Sequence, residues 1–198
     1  MPRPAESTRQ TILAHALGVA ARVGLGGLTI GSLAEATGLS KSGLFAHFGS
    51  KDALQVAVLD AAGDHFIETI VRPALKAPRG EPRVTALIDR WLAWATEQTG
   101  GCLLTAASFE LDDQPGPARD TLVKLQRDWL DTLAQAARIA MREGHFRADL
   151  DPDQLAFELH GLMLATHEMA RLFRDVSATS RARAGFARLL ADARRRPD

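Results

Sequence analysis

Cysteine occurs once in the 198 residues, at Cys102, which excludes an intramolecular disulfide and any zinc site built from several thiolates. A reducing cytoplasm is the simplest home for such a chain. Net charge is missing too, with 24 Lys and Arg against 24 Asp and Glu, so the chain is no polycation that would bind nucleic acid indiscriminately. Any binding to DNA has to be local. Residues 1 to 60 hold Arg3, Arg9, Arg22, Lys41 and Lys51 against Glu6, Glu35, Asp52 and Asp60, only a slight basic excess. No stretch approaches about 18 uninterrupted apolar residues, and the opening MPRPAESTRQ has no apolar core of signal type, so neither membrane spanning nor secretion is expected. Strand signals, internal repeats and low-complexity runs are lacking as well. The carboxylates of Asp112, Asp113, Asp149, Asp151 and Asp153 fall in loops and caps, and no nucleophile, base and oxyanion set emerges at a defined spacing, so neither an enzyme nor a cofactor is expected.

What is present is helical periodicity. A 46% hydrophobic fraction suffices for a sizeable core, and the apolar residues recur at three- and four-residue spacing in about nine segments. Ser7 and Gln10 form a capping-box start for a first helix carrying Ile12, Leu13, Ala16, Leu17, Ala20 and Val23, which Gly24, Gly26 and Gly27 end. Thr29 caps a second, Gly38 turns the chain, and Ser40 caps a third from Lys41 to about His47. Leu28, Ile30, Leu33, Leu39, Leu44 and Phe48 are expected inward. Gly49-Ser50-Lys51-Asp52 opens a fourth helix, ending near Arg72 because Pro73 cannot extend it, and a loop follows over 75–83. Further helices are expected over 84–98, 102–111, 117–143, 152–174 and 180–195. The division that follows is a head over 1–50 and a body over 51–198, with 51–72 as the connecting helix.

The stretch from Thr29 to Lys51, TIGSLAEATGLSKSGLFAHFGSK, reads as a helix-turn-helix whose second helix presents Lys41, Ser42, Gly43, Phe45 and His47 outward. Gly43 inside that helix costs about 1 kcal/mol relative to Ala, tolerable where close approach is gained. Over Ser7 to Asp60 the order of signals resembles the DNA-binding domain of the TetR/AcrR family of bacterial transcriptional regulators. The matching signals are a capped second helix, a Ser-Lys start, an aromatic-x-His-Phe run and a Ser-Lys-acidic cap. The chain departs from the pattern at Phe45, where the family often has Tyr, so a phosphate hydrogen bond from that hydroxyl is unavailable. The resemblance implies a dimeric DNA-binding regulator, a repressor, that reads a pseudo-palindromic operator. Candidate DNA contacts are Thr29, Ser40, Lys41, Ser42, Gly43, Phe45, His47 and Lys51, several of which also serve simply as caps and surface charge. Arg9 and Arg3 are further phosphate candidates.

For the body, the resemblance implies a ligand-binding helical bundle, with the last two helices pairing with a second copy to make a homodimer. Trp91, Trp94, Phe109, Trp129, Met141, His160, Met163 and His167 are of the types that line an apolar cavity for a small apolar or amphipathic ligand, and equally of the types that fill a core. His160 and His167 lie two turns apart, about 10.5 Å along a helix, too far to share one metal without other ligands. No metal site is expected. Cys102, after two glycines at a helix start, is either a reactive thiol or a buried small apolar group. The competing reading of the whole is a helical dimeric interaction protein that has lost specific DNA readout. It differs from the regulator by surviving loss of the Lys41 and Lys51 charges.

Overall fold

Glycine turns and side-chain caps cut this chain into helices, and the computed structural model, which describes residues 4–98 and 100–194, follows that punctuation closely. The helices are α1 Pro4–Val23, α2 Ile30–Thr37, α3 Lys41–Phe48, α4 Lys51–Phe66, α5 Arg72–Ala74, α6 Glu81–Glu97, α7 Leu103–Leu111, α8 Pro117–Arg142, α9 Pro152–Arg171 and α10 Ala178–Ala193. A wide π-helical turn, Ile67–Val71, joins α4 to α5, so 51–74 is one continuous helical run. Counted that way, the described residues form nine helices. They contain no strand, only an isolated bridge between Phe146 and Arg194.

The chain packs as two units, Met1–His65 with Thr99–Leu125, and Phe66–Gln98 with Gln126–Asp198. This line does not follow the sequence division at residue 50: most of α4, all of α7 and the first turns of α8 pack with the helix-turn-helix. The first unit closes around Ile12, Ala16, Leu28, Leu33, Leu44, Phe48, Leu54 and Val58, all buried. Leu39, expected inward, is 41% exposed, because it stands between the left-handed Gly38 (φ 70°) and the cap at Ser40, where the chain swings away from the core. Ile30 is only half-buried, and Val23, at the end of α1, is exposed. The first helix starts at Pro4, earlier than Ser7.

In the second unit Phe66 stands edge-on to both Trp129 (4.9 Å between ring centroids) and Trp94 (5.9 Å), an arrangement that aromatic quadrupoles favour. Pro73 does not end the helical run. The preceding π turn lets it stand in the first turn of α5, where its missing N–H costs nothing. α6 begins at Glu81, three residues before the expected start, because the Glu81 N–H donates to His145 Nδ1 (3.1 Å). Gly80 permits this, with φ 90° and a position where a Cβ would fall 2.0 Å from that nitrogen. Asp151 caps α9 by accepting from the N–H groups of Asp153 and Gln154, with Pro152 at the first helical position. α9 and α10 approach closely at Gly185, where a Cβ would stand 2.9 Å from Leu162. α9 and α10 end at Arg171 and Ala193, both short of their expected ends.

Candidate functional site

Three consecutive caps build the helix-turn-helix. Thr29 Oγ1 accepts from Ser32 N–H (3.0 Å) while Ser32 Oγ accepts from Thr29 N–H (2.9 Å), a reciprocal capping box that fixes the start of α2. Gly38 ends α2 with its N–H on the Ala34 carbonyl. Ser40 Oγ then accepts from Gly43 N–H (3.1 Å) and lies 3.2 Å from Ser42 Oγ, and Ser50 Oγ accepts from Ala53 N–H to start α4. Leu44 and Phe48 are buried, and the Arg9 guanidinium lies 5.5 Å above the Phe48 ring. Outward stand Lys41, Ser42, Gly43 and Phe45, all exposed, with Lys41 lying alongside Gly31 of α2. His47 is half-buried, its ring tilted 6.4 Å from that of Phe48. Gly43 has a local reason: a Cβ there would come within 3.1 Å of Ser40 Oγ and squeeze the cap. Arg3 lies outside the described residues.

The turn between α1 and α2 is held from two sides. Glu110 on α7 accepts from the N–H groups of Leu25 (3.2 Å) and Gly26 (2.7 Å). The carbonyls of the same two residues accept from Gln55 Nε2 (2.8 Å, buried) and Lys51 Nζ (3.1 Å), both on α4. Gly24, at φ 79°, lets the carboxylate in, since a Cβ would stand 2.7 Å from its Oε1. Sequence reasoning assigned Lys51 to a phosphate and missed Glu110 and Gln55 altogether. An exposed ammonium that braces the turn is also a cation fixed beside the start of α4.

Residues 12–58 match the model described as bacterial regulatory proteins, tetR family, and residues 80–186 match the tetracyclin repressor-like C-terminal domain. The chain belongs to the TetR family. Similar to it is the HTH-type transcriptional regulator SrpR of Pseudomonas putida, 28% identical over 148 residues, which are 74% of this chain and 67% of that protein. Among solved structures, a TetR transcriptional regulator from Chloroflexus aurantiacus is 24% identical and superimposes with a TM-score of 0.85 over 96% of each chain. AibR, solved in complex with isovaleryl coenzyme A and operator DNA, is 19% identical with a TM-score of 0.73 over 93% of this chain and 98% of that one. The protein is therefore a DNA-binding transcriptional regulator with an all-α fold, and this reading stands over that of an interaction protein without readout. Among the described residues no helix is long and apolar enough to cross a membrane.

In the second unit of this TetR-family chain, the residues expected to line a ligand cavity divide. Trp91 and Met163 border a void of about 10 Å³ among α6, α9 and α10, room for one water at most. Trp94 and Trp129 are buried against Phe66 as core. His160 and His167 are half-buried, and burial pushes both imidazoles below their ordinary value, with the Arg171 charge adding to the effect at His167. His160 Nδ1 is buried without a hydrogen-bond partner. Met141 is half-buried in the last turn of α8. Phe109 belongs to the other unit and is 61% exposed, so it does not join the rest.

A larger hollow, of about 320 Å³, is one that the sequence did not single out. Val71, Leu75, Leu87, Ala136 and Ile139 form its apolar walls, and Asp128, Asp131, Thr132 and Gln135 its polar edge. Arg83 also lines it, donating from Nη2 to the Ala77 carbonyl (3.1 Å) while its buried Nε has no partner. A shallower hollow of about 440 Å³ borders Glu81, Pro82, Thr85 and His145. Cys102 is 2% exposed, and burial pushes its thiol up, so it stands as a small core residue.

Proposed function

We propose that the protein is a dimeric, ligand-responsive repressor whose α3 enters the major groove of a pseudo-palindromic operator. The observation that carries this reading is the outward set Lys41, Ser42, Gly43 and Phe45 on a short helix capped at both ends and anchored by Leu44 and Phe48. Lys41 is assigned to a base edge or phosphate, and Lys51 and His47 to phosphates. Thr29 and Ser40 supply helix N-termini on which phosphates can rest. Dimerisation is assigned to α9 and α10. In support, Phe157 and Leu172 are 69% and 70% exposed, and between them Gly161 has no heavy atom within 4 Å of where a Cβ would stand.

The effector is assigned to the 320 Å³ hollow, whose five apolar and five polar lining residues suit a small amphipathic molecule. Its binding would favour a conformation with weaker DNA affinity, the loss being the coupling free energy. AibR, with its acyl-coenzyme A and operator, is a precedent for both ligands on this fold.

The test is binding of the purified protein to labelled DNA flanking its own gene, across a salt series and against scrambled competitor. Specific binding to one short palindrome, weakened at least tenfold by Lys41→Ala with the dimer intact, is expected. Equal competition by scrambled DNA, or an unaffected Lys41→Ala variant, would sink the assignment of α3. Phe157→Glu with Leu172→Glu should yield monomers in sedimentation.

A further inference from the structure

α3 brings a narrow chemical repertoire to DNA. Its eight residues, KSGLFAHF, include no Arg, Asn, Gln, Asp or Glu, the side chains that make paired hydrogen bonds to guanine and adenine or accept from cytosine. Leu44 and Phe48 are spent on the core, and His47 is half-buried with its ring against Phe48. With His47 assigned to a phosphate, Lys41 and Ser42 are the exposed hydrogen-bonding side chains of this helix left for base edges. Between them and the end of the helix the largest exposed group is the Phe45 ring, with 57% of its surface open. It has no hydroxyl to offer a phosphate. Gly43 and Ala46 on the same helix are small and exposed, and Lys41 and Ser42, one turn before the ring, share its face.

The major groove presents one apolar substituent, the 5-methyl group of thymine. We infer that Phe45 is a specificity-determining residue that reads thymine, packing its ring on one or two thymine methyl groups in each half-site. Lys41 supplies the hydrogen bonds alongside. The inference rests on α3 being the recognition helix. Apolar contact supplements the hydrogen bonds that Lys41 alone can pair on guanine, and its readout is insensitive to salt, unlike the contribution of Lys41 and Lys51.

The experiment selects duplexes from a random library with the full-length protein, then replaces each thymine of the selected site by uracil, one at a time. That exchange removes the methyl group and leaves every hydrogen-bonding atom in place. Affinity is expected to fall about three- to fivefold at one or two positions per half-site, and about tenfold or more when both half-sites are changed. Phe45→Ala should bind the thymine and uracil duplexes equally, and Phe45→Leu should keep part of the preference. A general loss of folding would weaken both duplexes alike and leave their ratio unchanged, so the ratio isolates the contact. Uniform affinity along the whole uracil series, or an undiminished ratio in Phe45→Ala, overturns the inference while leaving α3 as the DNA-binding helix. Failure to enrich any duplex overturns both.

Discussion

In the first unit the turn from α1 to α2 is pinned by polar groups, with Glu110 on its N–H side and Gln55 and Lys51 on its carbonyl side. In the second unit the equivalent work is done by rings, with Phe66 edge-on to Trp94 and Trp129. The polar clamp is directional and modest in energy, and the loss of one carboxylate removes its N–H side. The ring cluster rests mainly on apolar burial, with a smaller preference for the edge-on arrangement. The turn ahead of the helix-turn-helix is thus held by a few aligned hydrogen bonds beside an apolar core, and this part of the second unit by ring packing.

The comparison breaks most severely at Trp129. Trp129→Ala empties a buried ring site and should cost about 3–5 kcal/mol in urea unfolding, enough to threaten the second unit altogether. Glu110→Ala leaves the Leu25 and Gly26 N–H groups without their acceptor, and a loss of about 1–3 kcal/mol is expected. DNA affinity should fall with it, because the turn leads straight into the Thr29 cap, while Glu110→Gln retains an acceptor oxygen and should lose less. If unfolding and DNA titrations leave Glu110→Ala indistinguishable from the parent, the clamp has no weight. Thr29→Ala removes one cap and should cost about 1 kcal/mol, read as a lower melting temperature.

The smallest effect is in pH. His160 and His167 are held below the ordinary imidazole value of 6.5, so folding favours their neutral forms. Their contribution to stability is complete above that value and declines as the pH falls below it. Melting temperature should therefore drop between pH 7 and pH 5, and a His160→Leu variant should show a shallower drop. An unchanged slope would assign the acid sensitivity to other groups.

The head was largely readable from sequence because its signals are local. Thr29, Ser40 and Ser50 each cap a helix by bonding a backbone N–H three residues on, and Gly38 ends α2 through its own left-handed conformation. Leu39 misled because hydrophobicity is not position: a residue between a glycine turn and a cap has no core to face. Pro73 misled because a π turn, which no spacing rule announces, resets the helix before it. Glu110 acts 84 and 85 positions from its partners. The hint in the sequence was the glycine turn itself, in which the N–H groups of Leu25 and Gly26 lie beyond the helix and need an acceptor. The 320 Å³ hollow had no signal in the sequence, because its apolar walls are Val, Leu, Ala and Ile, the types that fill any core.

The Glu110 clamp bears on how freely such a head can be transplanted. A chimera that joins residues 1–50 of this protein to another regulator's body leaves behind Lys51, Gln55 and Glu110, whose side chains hydrogen-bond the Leu25–Gly26 turn. Portability of the DNA specificity would then depend on whether the recipient's fourth and seventh helices offer a lysine, a glutamine and a carboxylate at the matching places. A module that keeps the whole clamp is discontinuous in sequence, α1 to α4 together with α7.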